Sequence, residues 1–399
     1  MGGKHMTITE EVSSKSLKDA GFDPAVHHRL EEHIQKLIGE DKIKCGSYML
    51  SRDGVILAVN AFGPLRHDDT TSILQTDSIR EIASVTKLFT SVAIFQLIEQ
   101  GKLFLRQPVA EWIAEFNNST YNKVQIWNLL THTSGIQADP NYYLEPYPMG
   151  WWDIIFAFMP ELEDKDNVDV EELERQRQTV WIRAVLSGKP LSQPGEEWSY
   201  SSAGFAILGE IIARASGKTY EQYVMDEIVH PLGLTRTFFQ VPENLHPEVC
   251  VIDDHNIERL NRQPQKYHPP SSGGGLYSTI HDVFRFGQMM LNGGILDGVR
   301  ILSRKSIEKM TQNTFDNNQI SAYCWGANIP KMDYGIGASI TGRGEWIPEG
   351  SYGHEGAGRC KLIIDPTHQS VAVFFVPSNV DWCPESITGL QNIIGSGWI

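Results

Sequence analysis

Ser84-Val85-Thr86-Lys87 opens a run whose apolar residues, Leu88, Val92, Ala93, Phe95, Leu97 and Ile98, recur too densely for a solvent-facing helix. Residues three apart share a helix face, so this spacing sets the Lys87 amine beside the Ser84 hydroxyl, as an activated serine nucleophile requires. The first helical turn adds unpaired N–H groups and the positive end of the backbone dipole, both favourable to developing negative charge. The apolar run behind the pair predicts a buried helix with a poorly solvated mouth, a setting that lowers a lysine pKa toward that of a usable base.

The same spacing recurs at Ser306-Ile307-Glu308-Lys309, but the stretch from Ile301 to Met310 is rich in charge and reads as the solvated face of a surface helix. The neighbours of Ser84 differ. Upstream, Gly46 to Asn60 forms two short apolar runs about Arg52-Asp53-Gly54, the pattern of a β-hairpin. Residues 22–40 predict an amphipathic helix with Leu30, Ile34, Leu37 and Ile38 on one side, and the Ser84 helix is expected to stop near Gly101. Helical patterns dominate from about 108 to 240, including Val124–Leu130 and Ala203–Ala215, the latter stopping at Gly217. After 270 alternation returns: Lys361–Val376 reads as a hairpin around Asp365-Pro366, and Glu385–Ile394 as a closing helix. Strands at both ends around a helical middle predict one sheet built from both ends, a helical lobe packed on it, and a cleft between them.

Forty-nine acidic against 34 basic residues give the 399-residue chain a formal charge of −15, which argues against nucleic acid or an anionic membrane as partner. Hydrophobic content of 41% and charged content of 21% are those of an ordinary globular protein. Five scattered cysteines, Cys45, Cys250, Cys324, Cys360 and Cys383, show no Cys-x-x-Cys pair, hence neither a disulfide framework nor a zinc signature. Met1 to Met6 reads as an expression remnant, and the following Thr7 to Glu11 lacks an apolar signal core. No run reaches membrane-spanning length. The expected compartment is the cytoplasm; no cofactor and no metal are called for, and oligomeric state is left open.

Two further segments carry chemistry. Tyr200-Ser201-Ser202 follows the turn-rich Gln193 to Ser199 and precedes an apolar helix, so its phenol can point into a cleft and relay a proton. Gly353-His354-Glu355-Gly356-Ala357-Gly358-Arg359 lies before the last hairpin. Its glycines permit close backbone approach, the Ala357 N–H can face an oxyanion, and His354 can bind a substrate carbonyl or carboxylate or carry a proton.

Taken in order, these segments resemble the serine β-lactamase and penicillin-binding-protein superfamily, in its class C β-lactamase, D-alanyl-D-alanine carboxypeptidase and family VIII esterase branch. That family carries Ser-x-x-Lys, then Tyr-x-Asn or Tyr-x-Ser, then Lys-Thr-Gly or His-x-Gly, matched by Ser84/Lys87, Tyr200/Ser202 and His354/Gly356. Leu129 to Gly135, Gln193-Pro194-Gly195, Pro231 to Thr235 and Gly273 to Thr279 add supporting matches. The resemblance implies an α+β, β-lactamase/transpeptidase-like fold: an antiparallel sheet flanked by helices, plus a mainly helical lobe. Residues 1–21 are then tag and N-terminal extension. Residues 22–399 form one catalytic domain, with an α/β lobe of about 22–105 and 270–399 and a helical lobe of about 106–269.

The resemblance further implies that Ser84 attacks a carbonyl, with Lys87 and Tyr200 sharing the proton work, Ser84 and Ala357 N–H groups holding the oxyanion, and Ser202 orienting Lys87 or binding a substrate amide. Serine stands where class C β-lactamases commonly have asparagine, and His354-Glu355-Gly356 replaces Lys-Thr-Gly. A neutral histidine offers a β-lactam carboxylate far less than a lysine does, so efficient β-lactam hydrolysis is not expected. The reading is a cofactor-free serine hydrolase acting on a small-molecule or peptide amide or ester, D-amino-acid peptides included. Acyl transfer or peptide cyclisation through the same intermediate, and a silent ligand-binding scaffold, stand as alternatives. Residues 137–190 read as an insertion whose Tyr142, Tyr143, Tyr147, Trp151, Trp152, Phe156, Phe158 and Trp181 either wall the cleft or form the core of an extra helical hairpin.

Overall fold

Asp53 and Gly54 both adopt left-handed backbone conformations, φ 52° and 76°, which gives the two-residue turn whose twist suits a hairpin. Around it pair β1 (Gly46–Arg52) and β2 (Val55–Phe62). The computed structural model describes residues 14–69, 71–136, 170–262, 269–315, 321–324, 327–329, 333–378 and 383–399. Four later strands, β3 (Ser339–Ile340), β4 (Tyr352–Gly356), β5 (Cys360–Asp365) and β6 (Ser370–Phe375), complete a six-stranded antiparallel sheet in the order β3-β4-β5-β6-β1-β2. The two ends of the chain meet at the β1–β6 ladder, from Ser47 opposite Phe375 to Arg52 opposite Ser370. The β5–β6 turn includes the expected Pro366 and runs on to Gln369. Asp365 ends its strand, and its carboxylate accepts from the Thr367 and His368 N–H groups at 2.8 and 3.1 Å, carrying the turn through to Gln369.

Side chains alternate across the sheet, and both faces are covered. On one face Tyr48, Leu50, Ala372 and Phe374 pack against α1 (Pro24–Gly39) and the closing helix. Asp23 caps α1 by accepting from Ala25 N–H at 2.9 Å, Pro24 occupies its first turn, and Val26, Leu30, Ile34 and Leu37 form the buried stripe. Ile38, expected on that stripe, is half-buried at its edge. A short helix at Ser14–Asp19 adds buried Leu17 to this layer.

On the other face Met49, Val371, Val373 and Phe375 meet α2 (Thr86–Glu99) and Ile280–Leu291. α2 ends as expected, with Gly101 at φ 72° just beyond. It is buried on nearly every side, from Thr86 through Phe95 and again at Leu97, so it is the central core helix rather than an amphipathic one. Phe89 stacks on Phe286 at 3.9 Å between ring centroids. Further helices are α3 (Val170–Leu186), in which Trp181 is buried, α4 (Ser202–Ser216), ended by left-handed Gly217, α5 (Ile280–Leu291), the sheet-packed helix just described, α6 (Arg304–Thr311) and α7 (Pro384–Gly395), the expected closing helix. Within the helical region Glu197–Ser199 forms a short strand that pairs in parallel with Ser321–Cys324. Of the aromatic insertion, Tyr142, Tyr143, Tyr147, Trp151, Trp152, Phe156 and Phe158 lie outside the described residues. No helix among the described residues is long and apolar enough to cross a membrane.

Candidate active site

Arg80 and Glu81 bridge to Ser278 and Tyr277, and Ile82 N–H donates to the Leu276 carbonyl at 2.9 Å, which fixes the approach to Ser84. Ala83 then takes a left-handed φ of 43°, a conformation a Cβ-bearing residue adopts only under constraint. Ala83–Val85 make one 3₁₀ turn before α2 begins at Thr86, so Ser84 sits at the tight mouth of the helix rather than inside its first α-turn. Ser84 is half-buried; Lys87, one turn on, is fully buried.

Lys87 Nζ lies 3.1 Å from Ser84 Oγ, 3.1 Å from Ser202 Oγ and 2.5 Å from the Gly273 carbonyl. It also stands 4.8 Å from the centre of the Tyr200 ring and 5.5 Å from that of Phe205. Three oxygen partners match the three protons of an ammonium. A neutral amine can instead give protons to the Gly273 carbonyl and Ser202 and turn its lone pair to the Ser84 hydroxyl.

The second motif is positioned by a helix start. Ser201 caps α4, its Oγ accepting from Gly204 N–H at 3.1 Å, so Ser202 begins the helix facing Lys87 while Tyr200 remains on the extended segment before it. Ser201 N–H donates to His132 Nδ1 at 3.1 Å. The His132 ring lies against Tyr200, 4.5 Å between centroids, and is walled by Trp198, Phe205 and Tyr334. Burial, reinforced by the charge of Lys87, holds His132 well below the usual imidazole range, so it is neutral with its proton on Nε2.

The third motif runs along β4. Gly356 packs against the Ser84 turn so closely that a Cβ there would stand 2.3 Å from the Ile82 carbonyl oxygen and 3.2 Å from Ala83 Cβ. Ala357 opens the exposed turn that follows. His354 is buried beside the cleft, 6.2 Å from Tyr200 between ring centroids. Its Nδ1 lies 2.7 Å from the Glu355 carbonyl, which only accepts, so Nδ1 carries the proton and Nε2 is an acceptor. Nε2 has no partner among the described residues. Burial and the nearby Lys87 charge lower the His354 pKa to about 3, leaving the ring neutral. Arg359 and Lys361, flanking this turn, both pair with Glu355, at 3.2 and 3.4 Å.

Lys87 is thus in direct contact with both Ser84 and Ser202, the Tyr200 ring lies beside its amine, and Gly356 abuts the Ser84 turn. The decoy has a structural part: Ser306 Oγ donates to Glu99 Oε1 at 2.6 Å, tying α6 to the end of α2. Sequence reasoning missed three contributors as site residues, the Gly273 carbonyl, His132 and Arg80. The glycine run at 273–275 and the Leu129 to Gly135 segment held the only local signals.

The Beta-lactamase family profile matches residues 30–382, a span containing all three motifs. Protein Rv1367c of Mycobacterium tuberculosis is 29% identical over 291 residues, 66% of this chain and 66% of that protein, so the chain spans just under two thirds of that relative. A Salmonella agona protein named "Putative D-alanyl-D-alanine carboxypeptidase" is 25% identical over a 407-residue alignment, 91% of this chain and 85% of that one. The solved structure of EstCE1, described as "a hydrolase with promiscuous acyltransferase activity", superposes with a TM-score of 0.72 at 18% identity, over 93% of this chain and 98% of that one, which shows a shared fold. With the profile covering most of its length, the chain belongs to the Beta-lactamase family of serine hydrolases.

Proposed function

We propose that the protein hydrolyses amide, peptide or ester acyl donors that present no carboxylate to the third motif, D-amino-acid peptides among them, through an acyl-enzyme on Ser84. The carrying observation is Lys87, buried and held by Ser84, Ser202 and Gly273 at 3.1, 3.1 and 2.5 Å. In this reading Ser84 Oγ attacks the substrate carbonyl carbon while its proton passes to Lys87. The carbonyl oxygen becomes an oxyanion facing the Ser84 and Ala357 N–H groups, a stabilisation worth about 10²–10³ in rate per donor. Tyr200 hands its proton to the leaving amine or alcohol as its bond to the carbonyl carbon breaks and takes the Ser84 proton from Lys87 in exchange, leaving the phenol and the amine as they began. Water then attacks the ester, its proton following the same route back, and Ser84 is released.

The preference for donors without a carboxylate rests on the third motif. A neutral His354 gives no fixed positive charge, and Arg359 and Lys361 are engaged by Glu355. A carboxylate-bearing β-lactam would lose its usual counter-charge there, whereas a donor presenting an N–H or O–H meets the Nε2 lone pair. The test is intact-mass detection of acyl-enzyme on wild type and Ser84→Ala, using p-nitrophenyl esters, D- and L-amino-acid p-nitroanilides and a chromogenic cephalosporin. An adduct lost in Ser84→Ala, with esters or anilides well ahead of the cephalosporin, is the expected result. A preferred cephalosporin overturns the substrate reading, and no adduct from any probe on folded protein overturns the reaction.

A further inference from the structure

Arg80 is buried, and a guanidinium stays protonated at every relevant pH. Its Nη2 donates to the Gly358 carbonyl at 3.1 Å, and its Nε meets no acceptor among the described residues. Among the described residues no carboxylate pairs with it, so the charge needs another anion. The atom in that place is Cys250 Sγ, 3.5 Å from Arg80 Nη1. Cys45 Sγ lies 3.6 Å beyond, brought there across 205 residues of chain. With Cys250 as thiolate, the Cys45 thiol has an acceptor and Arg80 has a counter-ion. The Cys45 hydrogen bond and the Arg80 charge pull the Cys250 thiol below its ordinary range against the opposing effect of burial. Cys45 is pushed up by that hydrogen bond and by burial, as a proton donor should be.

We propose that Cys45 and Cys250 are a reversible, peroxide-oxidisable thiol–disulfide site in which Arg80 holds Cys250 as the reacting thiolate. A thiolate facing a second thiol is the arrangement in which a sulfenic acid is resolved at once to a disulfide. The Cys250 thiolate attacks one oxygen of hydrogen peroxide; the O–O bond breaks, hydroxide departs and Cys250 becomes a sulfenic acid. That hydroxide takes the Cys45 proton as water. The Cys45 thiolate then attacks the Cys250 sulfur, forming S–S and releasing the sulfenic oxygen as a second hydroxide. Two electrons leave the sulfurs and reduce the peroxide. The sulfurs must approach by about 1.5 Å to reach bonding distance. A crevice bordered by Leu74, Ser78, Phe375 and Pro377 lies against the pair but is too narrow to admit a water-sized molecule. Both thiols are buried, so the reaction waits on local opening.

Oxidation removes the thiolate nearest the Arg80 guanidinium. Arg80 also holds the Gly358 carbonyl, next to Ala357, so the proposal extends to a slower Ser84 in the oxidised protein; this extension rests on the oxyanion reading above. The test exposes reduced full-length protein to hydrogen peroxide, alkylates remaining thiols, denatures, and maps peptides by mass. The expected product is a Cys45–Cys250 cross-linked peptide, lighter by about 2 Da than its reduced halves and reversed by dithiothreitol. It should form in Cys383→Ser and not in Cys45→Ala, where dimedone captures Cys250 as sulfenic acid. Fluorophosphonate labelling of Ser84 should slow by about tenfold or more on oxidation, recover on reduction, and be unaffected by peroxide in Cys250→Ser.

Free, alkylatable Cys45 and Cys250 after peroxide treatment that oxidises a thiol standard in the same tube overturn the proposal, as does a cross-link made by other cysteines. A cross-link with unchanged Ser84 labelling overturns the extension alone. If Ser84 never labels, the hydrolase reading fails while the peptide map still decides the thiol site.

Discussion

Replacing Gly356 by alanine tests whether the third motif acts by packing against the nucleophile. The added Cβ would stand 2.3 Å from the Ile82 carbonyl oxygen, where an unstrained carbon–oxygen contact is about 3.3 Å, so something must move by about 1 Å. β4 is held by five paired residues to β5, and Ile82 directly precedes Ala83, already at φ 43°. Neither side can yield without shifting Ser84 against the oxyanion turn. A displacement of this size costs about 10² in rate, and overpacking costs about 1–3 kcal/mol of stability. The assay is the second-order rate of fluorophosphonate labelling of Ser84 followed by intact mass, beside a thermal melt. Gly217→Ala is the control: left-handed at φ 76° with no atom within 4 Å of a new Cβ, it should cost about 1 kcal/mol and leave labelling unchanged. A folded Gly356→Ala that labels at the wild-type rate refutes the reasoning.

Other changes separate the roles further. Ser202→Ala removes one of the Lys87 partners, and the loss of about 1–3 kcal/mol should lower kcat by about tenfold to a hundredfold with KM little changed, read from ester hydrolysis. Ser306→Ala should destabilise by about 1 kcal/mol in urea unfolding, through the lost bond to Glu99, and leave Ser84 labelling untouched. His354 is held neutral down to about pH 3, whereas the unfolded chain's histidine takes a proton near its ordinary 6.5. The unfolded state therefore binds more protons between those values. This contribution to stability is full above about pH 6.5 and lost as pH falls toward 3. Chemical denaturation across that window should show a slope that shrinks in His354→Gln.

What could be read from the sequence was what residues encode locally or by motif. The dense apolarity of Leu88 to Ile98, free of charged residues, marked a core helix, Arg52-Asp53-Gly54 marked its turn, and the matched motifs pointed to Ser84, Lys87, Tyr200 and His354 as one site. The structure places their side chains near one another, while their catalytic roles await the experiments above. What stayed hidden depends on partners distant in the chain. The Gly273 carbonyl is a backbone group with no identity of its own, and it reaches Lys87 across 186 residues. The Ala83 conformation is imposed by β4 and Leu276 and not by alanine, which resists it. Glu197–Ser199 becomes a strand through its parallel neighbour at Ser321–Cys324. Five scattered cysteines gave no hint that two would meet beside a buried arginine.

The joining of β1 to β6 has a consequence for synthesis. Ser51 Oγ donates to the Val371 carbonyl over a separation of 320 residues. A ribosome adding about 5–20 residues per second needs roughly 15–60 s to cover that distance. Throughout that interval the β1 edge, with its apolar side chains, emerges into solvent with no strand to meet it. β4, which must press against the Ser84 turn, is likewise made late. A nascent chain therefore carries its serine long before it can use it, and a messenger truncated ahead of β6 would yield an exposed hairpin inviting chaperones or aggregation, not a weakened enzyme.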